Sequence, residues 1–300
     1  MRRFIIQLFI FCLLSLSVIS LIFLKADGYT DPFYIRFTTS KQKNLILGTS
    51  RAAQGIQPRF FKEMMDVDIY NYSFTIGQSP YGRTYLESIK RKHNRNEKDG
   101  LFILAVDPWC ISSKNENPND STRFRENNLC LGNTTIVNMK PNFQYLFNNF
   151  SGKYFDLLFN RKKTSMFLHT NGWLEVTARM DTAVVKERID YKVKIYREKN
   201  LTRYKFSSVR FDYLKKTILY LREYGKVYLV RLPMHEKIME IEKELMPDFN
   251  TKITGLIPLS DGYFDMTPYN EKYEYTDGNH LYKESGELVT REIIHWIKTQ

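Results

Sequence analysis

Cysteine is scarce in this chain of 300 residues, with only three in all. Cys12 lies inside an apolar N-terminal run, which leaves Cys110 and Cys130 for the globular part. Two cysteines so far apart, without a matching histidine cluster, give no metal-site signal. An oxidising compartment would permit a disulfide between them, although their spacing alone does not establish one. Internal repeats and low-complexity segments are absent, so no repeat architecture is indicated. Charge is missing altogether from Phe4 to Leu24, where Gln7, Ser15, Ser17 and Ser20 are the notable polar residues. The net charge is +12, but no nucleic-acid recognition motif accompanies it. The basic residues are scattered, as in Lys90-Arg91-Lys92, Arg161-Lys162-Lys163 and Lys215-Lys216. They read as solvated helix faces, the sharper alternatives being anionic headgroups near an anchor or an acidic glycan.

An uncharged stretch of about 20 residues is long enough to cross a bilayer as a helix. Arg2 and Arg3 precede it, so the positive-inside rule keeps the N-terminus cytoplasmic and exports the remainder. A cleaved signal peptide is the rival reading. Its apolar region would be long for that role, and Lys25-Ala26-Asp27 makes a poor small-residue cleavage site. Residues 1–25 are therefore expected to be an uncleaved anchor. Phe11 precedes Cys12 where a lipoprotein signal would want a small residue, which argues against lipidation.

Residues 26–43 read as a juxtamembrane linker, and 44–300 as the domain. Asn44 to Leu47 is a continuous apolar run closed by Gly48, the pattern of a buried strand. Pro58 to Met65 reads as a helix with proline at its start. Asp68 to Phe74 alternates like a strand, and Tyr81 to His93 has helical spacing. Leu101 to Val106 is a third strand. Later come a helix from Ser208 to Tyr224, a strand from Lys226 to Leu232 and a helix from Glu236 to Leu245. A weaker strand is expected around Ile253 to Ile257. The last helix, Ser285 to Lys298, should turn Leu288, Val289, Ile293, Ile294 and Ile297 to the core. Strands alternating with helices indicate an α/β fold with a mostly parallel sheet covered on both faces. Between Trp109 and about Lys205 the pattern breaks into polar, Asn-rich sequence, read as an insertion that is partly helical around Phe143 to Phe159. Within it, Asn171-Gly172-Trp173-Leu174 reads as a turn, its tryptophan serving either ordinary packing or sugar stacking.

In an open α/β sheet, ligands bind beyond the carboxyl ends of the strands. Ser50, Gly77, Asp107, Arg231 and His235 follow successive strands, and Asp277 and His280 precede the last helix. A serine hydroxyl needs a base to take its proton, and imidazole suits that task. A carboxylate on the other ring nitrogen fixes the tautomer and stabilises the imidazolium. Ser50, His280 and Asp277 are therefore the candidate nucleophile, base and orienting acid. The backbone N–H groups of Ser50 and Gly77 are candidate oxyanion donors. Arg51, Asp107, Arg231 and His235 are candidate substrate contacts. Arg51 reads equally as a bidentate anion ligand or a structural ion pair, and Arg231 and His235 as structural residues or substrate contacts rather than chemical groups. His93, His169 and His295 look like ordinary surface or helix residues.

Gly48-Thr49-Ser50, Asn71-Tyr72-Ser73-Phe74-Thr75-Ile76-Gly77 and Asp277-Gly278-Asn279-His280 resemble the conserved blocks of the SGNH/GDSL hydrolase superfamily. More narrowly, the chain is similar to membrane-anchored, exported SGNH-like proteins of bacterial envelopes, among them relatives of the D-alanine transfer protein of teichoic acids and of alginate acetylation proteins. The resemblance covers Asn44 to Asp107 and Lys226 to Lys298. It implies a three-layer α/β/α, flavodoxin-like domain with a five-stranded sheet, Ser50 as nucleophile, Asp277 and His280 as its partners, and Gly77 as an oxyanion donor. It also implies an inner-membrane protein with its domain outside the cytoplasm, acting on acyl esters of an envelope polysaccharide. Such chemistry needs no metal and no organic cofactor. The implied partners are the membrane, an acylated glycan and a polysaccharide-modification complex, with no nucleic acid.

One position departs from the pattern. Esterases of the superfamily place an Asn where Asp107 stands, and an ionised carboxylate can only accept hydrogen bonds. Either Asp107 points away, or Arg51 or Arg231 compensates its charge. Hydrolase and acyltransferase both stay open. So do a catalytically inactive glycan-binding domain and a scaffold for a polysaccharide complex.

Overall fold

The computed structural model describes residues 1–159 and 165–300, so the basic cluster Arg161-Lys162-Lys163 lies outside the described residues. Five parallel strands form the central sheet: β1 (Asn44–Leu47), β2 (Ile69–Asn71), β3 (Gly100–Ala105), β4 (Gly225–Arg231) and β5 (Gly262–Asp265), in the order β2-β1-β3-β4-β5. Because successive side chains on a strand face opposite ways, each strand feeds two cores. Leu45, Leu47, Phe102, Leu104, Val227 and Leu229 enter one. Ile46, Ile103, Ala105, Tyr228 and Val230 enter the other. Burial on both faces explains why these runs are continuously apolar rather than alternating.

Helices cover both faces. On the first lie α4 (Arg83–Lys92), through Tyr85 and Ile89, and α6 (Ser208–Arg222), through Leu214, Ile218 and Leu221. The second face is covered by α2 (Ser50–Gly55), α3 (Arg59–Met65) and α8 (Lys283–Lys298). Two further helices, α5 (Thr182–Ile195) and α7 (Glu236–Leu245), stand over the carboxyl edge of the sheet, where Ile238 and Ile241 pack with Trp109 and Met234. The N-terminal helix α1 (Arg2–Phe23) has a mean hydropathy of 2.7 over its most apolar window and is long and apolar enough to cross a membrane.

Several expectations are corrected. The stretch near Ile253 is a helix, Phe249–Thr254, because Phe249 and Ile253 are a buried pair at helical spacing; the fifth strand comes later, at β5. On α8, Val289, Ile293, Ile294 and Ile297 are buried, but Leu288 is 52% exposed, since it lies on the side of His295 and solvent. Residues 26–43 do not form a free tether. Tyr34, Ile35, Arg36 and Phe37 are buried, and the Arg36 guanidinium donates to the carbonyls of Asn71, Pro32 and Gly172 at 3.1, 2.7 and 2.7 Å. His93 is buried rather than superficial, hydrogen-bonded to Tyr220 at 3.1 Å. Cys110 and Cys130 are both buried and unpaired with each other. Within 109–205, α5 had no legible period because Ile189 is its one buried residue. Trp173 is ordinary packing: buried, stacked on His169, with its indole N–H on the Gln54 carbonyl at 2.8 Å.

Candidate active site

The turn after β1 is built to place one side chain. Gly48 has φ +152°, and a Cβ there would meet the Cβ atoms of Ala105 and Ala52 at 2.8 and 3.0 Å. Only glycine lets β1 end this close to β3 and α2. Its N–H donates to the Tyr85 hydroxyl at 3.0 Å and its carbonyl accepts from Ser79 at 2.7 Å, so both backbone groups are pinned. Two residues later Ser50 opens α2, whose other end is held by the Asn71 side-chain amide on the carbonyls of Ala52 and Ile56.

The partner loop is equally determined. Gly278 adopts φ +81°, which favours glycine, and the Asp277 carboxylate accepts the backbone N–H groups of Asn279 and His280, both at 3.0 Å. The Thr276 N–H closes the loop on the His280 carbonyl at 2.9 Å. This geometry turns the His280 ring toward α2. Its Nε2 lies 2.8 Å from Ser50 Oγ, and its Nδ1 lies 3.0 Å from Asp277 Oδ2. An ionised carboxylate can only accept, so Nδ1 carries the proton and Nε2 offers its lone pair to the serine hydroxyl.

Lys192, on α5, forms an ion pair with Asp277 Oδ2 at 2.7 Å. Burial by itself would raise the Asp277 carboxyl. His280 and Lys192 outweigh it and hold the group well below the usual carboxylate range. It therefore stays charged wherever the ring needs an anion.

Behind this triad lies a buried ionic network. Glu242, fully buried on α7, forms an ion pair with Arg51 at 2.7 Å and accepts from Arg231 at 3.2 Å and the Trp109 indole at 2.8 Å. Arg51 also donates to Asn279 Oδ1 through Nε and Nη2, at 3.1 and 2.7 Å. That fixes the amide's orientation: Oδ1 faces Arg51, and Nδ2 lies 3.2 Å from His280 Nε2 at the edge of the cleft. Burial opposes the charge on Arg51, but Glu242 and Asp107 more than offset it.

Ser50, His280 and Asp277 are thus brought together as their residue types required; of the candidate substrate contacts, Arg51 and Arg231 are drawn into the ionic network, Asp107 faces Arg51, and His235 borders a hollow beside the Asp277–His280 loop. Arg51 and Arg231 are 5% and 3% exposed and committed to Glu242, with Arg231 also on Asn250 at 2.8 Å. Asp107 turns into its own chain, accepting the Cys110 N–H at 2.8 Å, and lies 3.9 Å from Arg51. Burial pushes its carboxyl up, with Arg51 opposing. Of the two alternatives posed for this residue, compensation is the one that fits: Asp107 lines the cleft at Ser50, and the Arg51 cation faces it. His235 caps α7, Nδ1 accepting the Lys237 N–H at 3.3 Å, and its backbone N–H holds the Gly278 carbonyl at 2.9 Å. Gly77 occupies the turn after Thr75 and faces Arg125, while Ile76 lines the cleft.

The cleft at Ser50 is narrow, about 30 Å³, and is walled by Ile76, Trp109, Tyr196, Tyr204 and Asn279. A larger hollow of about 480 Å³ flanks the Asp277–His280 loop, lined by Ile189, His235, Tyr273 and Tyr275. Among the described residues no group of three or more His, Cys, Asp and Glu side chains is placed to hold a metal ion. Lys192, Asn279, Glu242 and Tyr196 escaped the sequence reading. Asn279 alone had a signal, its place inside the Asp277–His280 motif.

A scan against protein-family models finds none that matches this chain, and a search of curated proteins finds no match either.

Proposed function

We propose that this protein is a serine esterase or O-acyltransferase of the SGNH type, anchored by α1 and acting outside the cytoplasm on short acyl esters of an envelope polysaccharide. The observation that carries the reading is the relay of Asp277, His280 and Ser50, with contacts of 3.0 and 2.8 Å. Ser50 Oγ attacks the ester carbonyl while its proton passes to His280 Nε2, and the imidazolium so formed is stabilised by Asp277. Collapse of the tetrahedral adduct expels the alcohol, which takes the proton back from His280. Water or a sugar hydroxyl then attacks the acyl-serine by the reverse sequence. The Ser50 N–H at the start of α2 and the Asn279 Nδ2 donate to the developing oxyanion. Asn279 thereby stands in for the side-chain amide that Asp107 cannot supply.

The narrow aromatic-walled cleft favours an acetyl-sized group over a long chain. The hollow lined by Tyr273, Tyr275 and His235 is of a size to take a saccharide unit beside the loop. The test is hydrolysis of nitrophenyl acetate against nitrophenyl octanoate, followed by release of acetate from an O-acetylated polysaccharide. Turnover of the acetate ester that disappears in Ser50→Ala is expected. A folded chain with no activity on either ester would favour the glycan-binding alternative.

A further inference from the structure

Away from the cleft, exposed aromatic and aliphatic side chains concentrate in one short stretch, 147–159. Phe147, Phe155 and Phe159 are 59%, 63% and 70% exposed, and Leu158 is 39% exposed. Soluble surfaces rarely leave such a group uncovered together. The patch is continuous with α1. Phe23, its last residue, packs its ring on Phe143, Phe147 and Tyr154 at centroid distances of 5.7, 5.3 and 5.3 Å. The short helix Asp156–Phe159 lies directly against α1, with the Phe155 and Phe159 rings tilted on one another at a centroid distance of 4.6 Å.

The junction between helix and domain has no slack. The Gly28 carbonyl accepts the Leu168 N–H at 3.0 Å, Tyr29 packs on Phe167 at 4.5 Å, and Asp31 accepts the Tyr145 hydroxyl at 2.9 Å. A bilayer that surrounds α1 is therefore carried up to residues 147–159.

We propose that Phe147, Phe155, Leu158 and Phe159 insert into the outer interface of the bilayer that α1 enters, seating the domain on the lipid in a fixed orientation. Aromatic rings are favoured at the headgroup level, where their apolar bodies leave water. Lys25 and Lys153, both exposed at the rim of this patch, are placed to reach lipid phosphates. The lipid is preferred to a second copy because the patch begins at the last turn of α1 itself. This inference does not depend on the activity of Ser50.

The experiment uses the full chain in vesicles of phosphatidylcholine and phosphatidylglycerol, with Cys12→Ser removing the exposed thiol; Cys110 and Cys130 are buried. Phe155→Cys, Phe159→Cys and, as control, Leu288→Cys on the opposite helical layer each receive a bimane label. Doxyl groups high on the lipid chains should quench the labels at 155 and 159 severalfold more than the label at 288, and aqueous iodide should show the reverse order. Equal iodide quenching at all three sites, without doxyl quenching, overturns the proposal. Protection that appears only at high protein-to-lipid ratios overturns it in favour of self-association.

Discussion

Glu242 offers the sharpest energetic test of the site's support. Its carboxylate is fully buried and is the shared counter-charge of two guanidiniums that are themselves almost fully buried. Without it, Arg51 keeps Asn279 and a carboxylate 3.9 Å away, while Arg231 keeps Asn250 and Asp265 at 4.0 Å. Neither residual arrangement replaces a direct ion pair. Removing one partner of a buried pair costs about 3–5 kcal/mol, and Glu242→Ala should fall in that range. Glu242→Gln keeps the shape and one acceptor, so a loss of about 1–3 kcal/mol is expected. Urea unfolding followed by circular dichroism reads this directly. With a slope near 3 kcal/mol/M, the Ala variant should lose roughly 1–2 M from its midpoint. The Gln variant should also lose Ser50 reactivity while still folded, because Arg51 no longer holds Asn279 firmly. A midpoint within about 0.2 M of wild type for Glu242→Ala, at unchanged slope, would refute the claim that this carboxylate neutralises the network.

Further outcomes follow from the same geometry. Gly48→Ala forces a Cβ to 2.8 Å from Ala105 at a positive φ, and a cost of about 1–3 kcal/mol is expected, read as a lowered Tm with weakened Ser50 labelling. Burial lowers the Lys92 pKa to about 7, below an unfolded value near 10.4. Between these the unfolded chain binds the extra proton, so this group makes stability rise with pH, by at most about 1.4 kcal/mol per unit; the rise should vanish in Lys92→Met, and a parallel pH profile would contradict it. The Asp277 carboxyl is held below its unfolded value. Its contribution is complete above the unfolded pKa of about 3.9 and fades as pH falls further. The stability gap between wild type and Asp277→Asn should therefore narrow from pH 6 to pH 3, and a gap that widens would be contrary.

The parts of the fold read from sequence are those where burial writes an unbroken signal. β1, β3 and β4 are apolar on both faces, and α7 lies where its spacing predicts. Where burial is one-sided or sparse, the signal fails: α5 buries Ile189 alone, and β5 is only half-buried along its length. Ser50, Asp277 and His280 were legible because their residue types and chain order imply a shared task. Glu242 and Lys192 were not, since a charged residue on an amphipathic helix looks solvated until the fold places it beside an opposite charge. Arg51 had two equal readings, and its contact with Glu242 selects the structural one. The tether expected at residues 26–43 failed because Tyr34 and Phe37 carry too much apolar area to remain in water.

The central claim is that Ser50 is an activated nucleophile. Fluorophosphonate labelling of the full-length chain, alongside Ser50→Ala, His280→Ala and Asp277→Asn, tests it most directly. The account predicts covalent labelling in wild type, none in Ser50→Ala, and strongly slowed labelling in the other two. Absence of labelling in folded wild type, or labelling that survives Ser50→Ala, would contradict it.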